Sequence, residues 1–367
     1  AAAVQRSDEA LPFTVARNAP ELPALLSLDF SDPWRRKFVV TLEGEKGFDT
    51  GGVTREWLQL MLRLLFDPAY GVVEPLHDGA AEIFFSRHAQ EAVGDLPTQL
   101  GLLGRLVGKS IQLGQPLATA LPRGLYAVMA GRDVDLEMLA TSDPQAARSL
   151  QQILDMDDAT DVGLDFTADE KTLGSGASTP IPLVPGGDRI EVTNDNRAAY
   201  VHSLVQYKLV HRPADALAHF LTGLYDIVDP EALGQFSAAE LQRIVGGESH
   251  VDVAKWRAAT DVKPAAKEDG STMRAFWRVI EGDGGAPGLS EDDKRKLLYH
   301  FTGVKGLQAG PIERRFTINV QGETRHLPVG HGCSSTLDLP DYGSEALMRE
   351  RLTALLAHVE DIALDLV

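Results

Sequence analysis

Apolar residues recur along this chain with two periods, and the changes between them outline its elements. Residues 1–30 mix apolar and polar positions around Pro12 and Pro20, an extension with one short helix around Pro23 to Leu28. Lys37-Phe38-Val39-Val40-Thr41-Leu42 is β-branched and aromatic and reads as a strand, with Glu43 to Gly47 as a turn. Trp57, Leu58, Met61, Leu62, Leu64 and Leu65 then fit a helix that stops at Asp67-Pro68. Leu96, Leu100, Leu103, Val107 and Ile111 repeat at three and four residues, which predicts a helix over Leu96 to Leu113. Residues 122–160 predict short helices broken at Asp143-Pro144, one of them holding Ser149 to Met156.

Leu164-Asp165-Phe166 looks strand-like, and Gly174 to Gly187 is a loop or hairpin. A helix is expected from Arg197 to Val210. At Phe236-Ser237-Ala238-Ala239-Glu240-Leu241, Ser237 and Glu240 form a capping box, and Phe236 is placed to staple against Leu241. That helix ends at Gly246-Gly247, a good stop that is also a candidate hinge. We set the main domain boundary there; an ordinary loop accounts for the two glycines equally well.

Beyond the boundary, Ser271 to Glu281 predicts a helix and Gly282 to Gly288 a loop. Ser290 caps the next helix, which carries Leu297, Leu298 and Phe301. Phe316 to Val320 alternates as a strand, followed by a turn at Gln321-Gly322-Glu323. A strand from Leu327 leads to His331-Gly332-Cys333, and Thr336 to Leu339 forms another. Ser344 caps a final amphipathic helix with Met348, Leu352, Leu355, Leu356 and Val359 on one face.

Composition narrows the function. The chain has 367 residues, enough for roughly two domains. It holds 35 Lys+Arg against 53 Asp+Glu, a formal charge of −18, which opposes binding of a phosphate backbone and leaves no nucleic-acid role. No apolar run reaches about 18 residues, so no membrane span is expected. The first residues lack the apolar centre of a signal peptide. One cysteine excludes an internal disulfide framework and suits a cytosolic or nuclear protein. Gly104-Arg105-Leu106-Val107-Gly108-Lys109-Ser110 imitates a phosphate-binding loop but is one residue short between the glycines and sits inside a helical pattern. Its glycines fit close helix packing instead.

The single cysteine, Cys333, is the chemical candidate. Core burial is the ordinary account of a lone cysteine. Three features weigh against it: small polar neighbours Gly332, Ser334 and Ser335, His331 two residues before it, and flanking strands as a rigid platform. A thiolate is both nucleophile and leaving group, suited to reversible acyl transfer. A papain-like arrangement lacks its partners, because His358 lies in the last helix with no Asn after it. The 10 histidines show no ligand spacing, so no metal is expected.

Phe48-Asp49-Thr50-Gly51-Gly52-Val53-Thr54-Arg55-Glu56-Trp57 is the first of several stretches that, taken in order, resemble a known family: it is similar to the D-x-G-G-[LV]-x-x-E-[FW] opening of HECT-type ubiquitin-protein ligases. Gly104 to Lys109 resembles its L-G-R-x-x-G-K helix, and Val192 to Tyr200 its V-T-x-x-N-[KR]-x-x-[YF] stretch. Phe276-Trp277, Leu297 to Gly303, His331-Gly332-Cys333 and Leu337-Asp338-Leu339-Pro340-Asp341-Tyr342 are similar to its remaining signatures. Gly332 stands where the family usually has Thr, Ser334-Ser335 where it has Phe-Asn, and Leu364 where many members have Phe.

The resemblance implies an α+β, bilobal fold: a large, mostly helical N-lobe and a smaller α/β C-lobe joined by a flexible hinge. Residues 1–36 would be an extension and 37–246 the N-lobe, with a conjugating-enzyme-binding subdomain at about 115–195. Residues 247–250 would be the hinge, with Gly246 and Gly247 as its hinge glycines, and 251–367 the C-lobe with the catalytic cysteine. Leu150, Ile153, Met156, Leu164 and Tyr200 would line the docking groove, although core packing accounts for any one of them as well. Cys333 would take ubiquitin as a thioester from a ubiquitin-conjugating enzyme and pass it to a lysine of a protein substrate, without a cofactor. His331 would shape the loop or polarise the thiol, and Asp338 would help deprotonate the lysine. The chain would be a catalytic piece of a longer protein. A catalytically weak adaptor that binds ubiquitin or the conjugating enzyme is the competing expectation, and an unrelated cysteine hydrolase the third.

Overall fold

The computed structural model describes residues 11–15, 34–42, 52–76, 80, 82–86, 95–117, 119–171, 178–248, 250–282, 285–302, 306–307, 312, 315–323 and 325–364. The expected helix around Pro23 to Leu28, the turn Glu43 to Gly47 and the motif residues Phe48 to Gly51 lie outside them, as do 174–177 of the expected loop. The chain forms two compact units. One holds residues 1–65, 105–119 and 243–367; the other holds 66–104 and 120–242. The expected boundary at 247–250 lies within the first.

Strands β1 (Leu11–Val15) and β2 (Phe38–Leu42) pair in parallel. Helix α1 (Gly52–Leu65) buries Trp57, Leu58, Met61, Leu62 and Leu65, the apolar face its spacing predicts. It is tied to β2 by the Thr54 hydroxyl, which donates to the Phe38 carbonyl at 3.2 Å, and by an edge contact of the Trp57 and Phe38 rings. Strands β3 (Val73–Pro75) and β4 (Ile83–Phe85) make a short antiparallel hairpin.

Helix α2 (Leu96–Gln112) contains the segment that imitates a phosphate loop, and the lysine of that segment points into the protein. Lys109 is fully buried; its Nζ donates to the Trp34 carbonyl at 3.0 Å, to the Arg36 carbonyl and to Gln112 Oε1 at 2.7 Å. The ammonium also lies 4.1 Å from the centre of the Phe38 ring. Burial pushes Lys109 down to about 8. The motif's lysine is thus committed to the protein's own carbonyls.

Helices α3 (Arg123–Met129), α4 (Leu136–Ser142) and α5 (Pro144–Asp155) follow. The break falls at Asp143-Pro144 as expected: the Asp143 carboxylate caps α5 by accepting from Ala146 N at 2.9 Å, and Pro144 takes the first helical position. Strands β5 (Thr167–Lys171) and β6 (Ser178–Pro182) form an antiparallel hairpin. The expected strand at Leu164 to Phe166 is not one: Asp165 makes only an isolated bridge to Glu191, and Phe166 N donates to Ile190 O.

Helix α6 (Arg197–Gln206) ends before the expected Val210 and loosens into a π turn, Tyr207–His211. Helix α7 (Ala214–Ile227) follows and was not anticipated from the sequence. It crosses α2 backbone to backbone. A Cβ on Gly104 would lie 2.0 Å from the Phe220 carbonyl oxygen, and one on Gly223 would lie 1.8 Å from that of Gly101. Close packing is therefore what these α2 glycines permit.

A single turn, Pro230–Leu233, precedes α8 (Ala238–Gly246). The capping box forms: Ser237 N donates to Glu240 Oε2 at 2.8 Å, and Glu240 N to Ser237 Oγ at 3.2 Å. The staple does not cover Phe236, which stays 37% exposed.

Residues from Val251 to Leu356 build a core of their own, with Trp256, Phe276, Leu297, Phe301, Ile318 and Leu337 at its centre. Helix α9 (Val253–Ala258) leads into β7 (Thr260–Lys263), and α10 (Ser271–Glu281) and α11 (Glu291–Thr302) cross over to β8 (Phe316–Glu323). Then come β9 (Val329–His331), β10 (Thr336–Asp341) and α12 (Glu345–Leu364), the last capped by Ser344. The sheet order is β7-β8-β10-β9; β8 is parallel to β7 and β10, and β9 is antiparallel to β10. The expected turn Gln321-Gly322-Glu323 is instead the end of β8. The ladder slips by one residue there, beside Pro340, which has no N–H to donate.

Candidate active site

Alternation in β8 and β10 decides which side chains face outward. Phe316, Ile318 and Val320 are buried on one strand, and Leu337 and Leu339 on the other. Asn319 and Asp338 must therefore share the opposite face. The parallel register sets them side by side. In the antiparallel ladder His331 pairs with Thr336 and Val329 with Asp338, so His331 sits diagonally from Asp338 on that face.

Their polar atoms meet. His331 Nε2 lies 3.1 Å from Asp338 Oδ2, and Asn319 Nδ2 donates to Asp338 Oδ1 at 2.8 Å. Burial by itself would raise the Asp338 carboxyl. Hydrogen bonds from Asn319, His331 and Gln321 outweigh it and hold the group below the usual carboxylate range.

Cys333 follows directly. Its backbone lies in a 3-10 turn, Gly332–Ser334, between β9 and β10. Ser335 closes the turn in the left-handed region at φ 49°, ψ 49°, the one non-glycine residue with positive φ among those described. It is fixed from two sides: Ser335 N donates to Gly332 O at 3.3 Å, and Thr317 N donates to Ser335 O at 2.9 Å. Ser334 Oγ donates to the His331 carbonyl at 3.2 Å. Helices α1 and α11 pack against the turn.

The strand before the turn is pinned by α11. Gly330 presses on the His300 backbone, and His300 Nε2 lies 3.2 Å from the Pro328 carbonyl oxygen. Burial keeps His300 below its ordinary pKa, so the ring is neutral at pH 7 and donates from Nε2.

The other expected site residues lie apart from this one in the chain. Leu150 and Ile153 are buried on α5, and Tyr200 is buried on α6 with its ring at the edge of Phe166. Leu164 is half-buried, and Met156, just after α5, is 36% exposed. Val162 and Ile190, exposed at 40% and 38%, belong to the same part of the chain and were missed. Bonds such as Val192 N to Leu164 O hold its two segments together. The only sequence signal for either residue was an apolar side chain within a polar loop. Gly246 ends α8, and the next residue, Gly247, is buried with φ +80°. Beyond it Glu248 N donates to Leu307 O at 3.1 Å, and His250 pairs with Glu291. Among the described residues no group of three His, Cys, Asp or Glu is arranged to hold a metal, and no helix is long and apolar enough to cross a membrane.

Asn319, Gln321, His300 and Ser335 were not anticipated as parts of the site. Asn319 could be placed on the outer face of its strand by alternation, but its neighbour depends on register.

Residues 59–364 match the family described as HECT-domain (ubiquitin-transferase). The chain is similar to the E3 ubiquitin-protein ligase ptr1 of Schizosaccharomyces pombe, 30% identical over 354 residues, covering 93% of this chain and 11% of that protein. It is similar to the E3 ubiquitin-protein ligase pub3 of the same yeast, 28% identical, with 87% of this chain and 40% of that protein covered. The E3 ubiquitin-protein ligase RSP5 of Emericella nidulans is also 28% identical, with 87% and 39% covered. The chain thus spans between about a tenth and two-fifths of the length of these curated relatives.

Proposed function

Since the chain belongs to the HECT-domain ubiquitin-transferase family, we propose that it is a ubiquitin-protein ligase module that carries ubiquitin as a thioester on Cys333. The single observation that carries this reading is the setting of Cys333: a turn at the end of a rigid sheet, two residues after His331, within the span that matches the family.

Two acyl transfers follow. The Cys333 thiolate attacks the carbonyl carbon of the thioester joining ubiquitin to the conjugating enzyme, and the enzyme's own thiolate leaves. A substrate lysine then attacks the Cys333 thioester; its nitrogen loses a proton, the Cys333 thiolate leaves, and an isopeptide bond remains. The first exchange swaps one thioester for another, so the protein's contribution is chiefly proximity and orientation. Asp338, ionised at neutral pH, accepts a hydrogen bond from the incoming ammonium and assists its deprotonation. Its lowered pKa makes it a weak base, so the proton passes on to solvent. His331 shapes the turn through its carbonyl and its bond to Asp338.

The same reading assigns residues 37–246 to an N-lobe, 247–250 to a hinge and 251–367 to a C-lobe. Supporting it, the core around Trp256 draws all its buried members from residues 251 to 356. Met156 and Leu164, the least buried of the five expected residues, are the docking residues for the conjugating enzyme. Their exposed apolar neighbours Val162 and Ile190 extend that surface.

The test is a reaction with ubiquitin, activating enzyme and conjugating enzyme, resolved on a non-reducing gel. A thiol-sensitive ubiquitin adduct that is absent in Cys333→Ala is the expected result. Binding of the conjugating enzyme without an adduct would replace the ligase by an adaptor, and cleavage of ubiquitin conjugates without transfer would indicate a hydrolase.

A further inference from the structure

Asn319 takes no part in the two transfers just described, yet it holds one oxygen of the carboxylate that does. The carboxylate of Asp338 is gripped from both neighbouring strands. Oδ1 accepts from Asn319 on β8 at 2.8 Å, and Oδ2 faces His331 on β9 at 3.1 Å. The terminal torsion of an aspartate is broad and nearly two-fold, so a single bond leaves the plane of the group poorly set. Bonds from opposite sides define it, with Asn319 holding Oδ1 and His331 facing Oδ2, while Gln321 adds a further hydrogen bond.

The chemistry of an amide matters here. It donates without bringing charge, so the Asp338 carboxylate keeps its full negative charge; a lysine in that place would cancel it and an acid would repel it. The ionised carboxylate has no hydrogen to give, so His331 Nε2 must carry one. In the neutral ring Nδ1 is then the acceptor. The orientation of Asp338 therefore also selects the tautomer of the residue two before Cys333.

We infer that Asn319 is a positioning residue for discharge onto lysine, acting through Asp338. The inference rests on the reading of Cys333 as a thioester carrier. Its effect falls on the step that uses Asp338 and spares the charging of Cys333.

The 367-residue chain is charged with ubiquitin by activating and conjugating enzymes, and single-turnover discharge is followed against the concentration of free lysine. Asn319→Ala is expected to lower the maximal discharge rate about tenfold, with charging and the half-saturating lysine concentration changed by less than about twofold. Asn319→Val, which keeps a strand-forming residue in that place, should behave alike and guards against a folding defect. Asp338→Asn slows discharge on its own, and adding Asn319→Ala slows it no further. Additive losses in the double variant overturn the inference, as do charging and discharge falling together. Normal discharge by charged Asn319→Ala also overturns it while leaving the thioester reading intact. A wild-type chain that never forms the adduct defeats that reading first.

Discussion

Gly330 and His300 touch through their backbones: a Cβ on Gly330 would lie 1.8 Å from the His300 carbonyl oxygen. No side-chain rotation relieves such a clash, because both partners are main chain. Strand β9 and helix α11 must separate for any residue larger than glycine. Gly330→Ala should therefore lower stability by about 1–3 kcal/mol. It should also displace the Cys333 turn and slow formation of the ubiquitin adduct. Thermal unfolding and the non-reducing gel read the two effects. Unchanged values in both would mean that the two elements do not pack this way.

Ser335 supports a second prediction about the same turn. A left-handed conformation is unfavourable for residues with a Cβ, and asparagine and glycine tolerate it best. Ser335→Asn should keep or raise the unfolding midpoint, and Ser335→Val should destabilise the chain by about 1–3 kcal/mol. A valine variant as stable as the wild type would contradict the positive φ.

Acid sensitivity is expected where Asp341 ends β10. The hydrogen bond from Thr272 does most to lower its carboxyl, against the opposing effect of burial; Lys267 and Gly343 N–H add to the lowering. The folded-state pKa thus lies below the unfolded value of about 3.9. The resulting stability is complete above that value and is lost as the pH falls through the folded pKa. Asp341→Asn should cost about 1–3 kcal/mol at pH 7, and the gap to wild type should shrink as the pH falls below about 4. Urea unfolding across pH would show a constant gap if Asp341 were not involved.

Met156 separates docking from folding. Its side chain is 36% exposed, so Met156→Asp should leave the unfolding free energy within about 0.5 kcal/mol of wild type. Affinity for the conjugating enzyme should drop about tenfold or more, as for a central interface residue. Calorimetric titration of the two proteins measures it, and undiminished affinity would remove Met156 from the docking surface.

Much of this chain was determined by sequence alone because the signals are local. Ser237 with Glu240 and Asp143 with Pro144 set helix starts through atoms a few residues apart, and the helix Ser271–Glu281 follows from the spacing of Phe276, Trp277 and Ile280. Cys333 stood out through its neighbours, and the alternation around Ile318 and Leu337 already turned Asn319 and Asp338 away from the core. The tertiary structure decided what local spacing does not encode. Register brought Asn319 to Asp338 and set His331 diagonally across from it. The slip beside Pro340 made a strand end of an expected turn, and the crossing of α2 and α7 at Gly104 and Gly223 decided what those glycines are for. Lys109 gained its role only on folding, because its partners at Trp34 and Arg36 lie far away in sequence and only the tertiary structure brings their carbonyls to its ammonium.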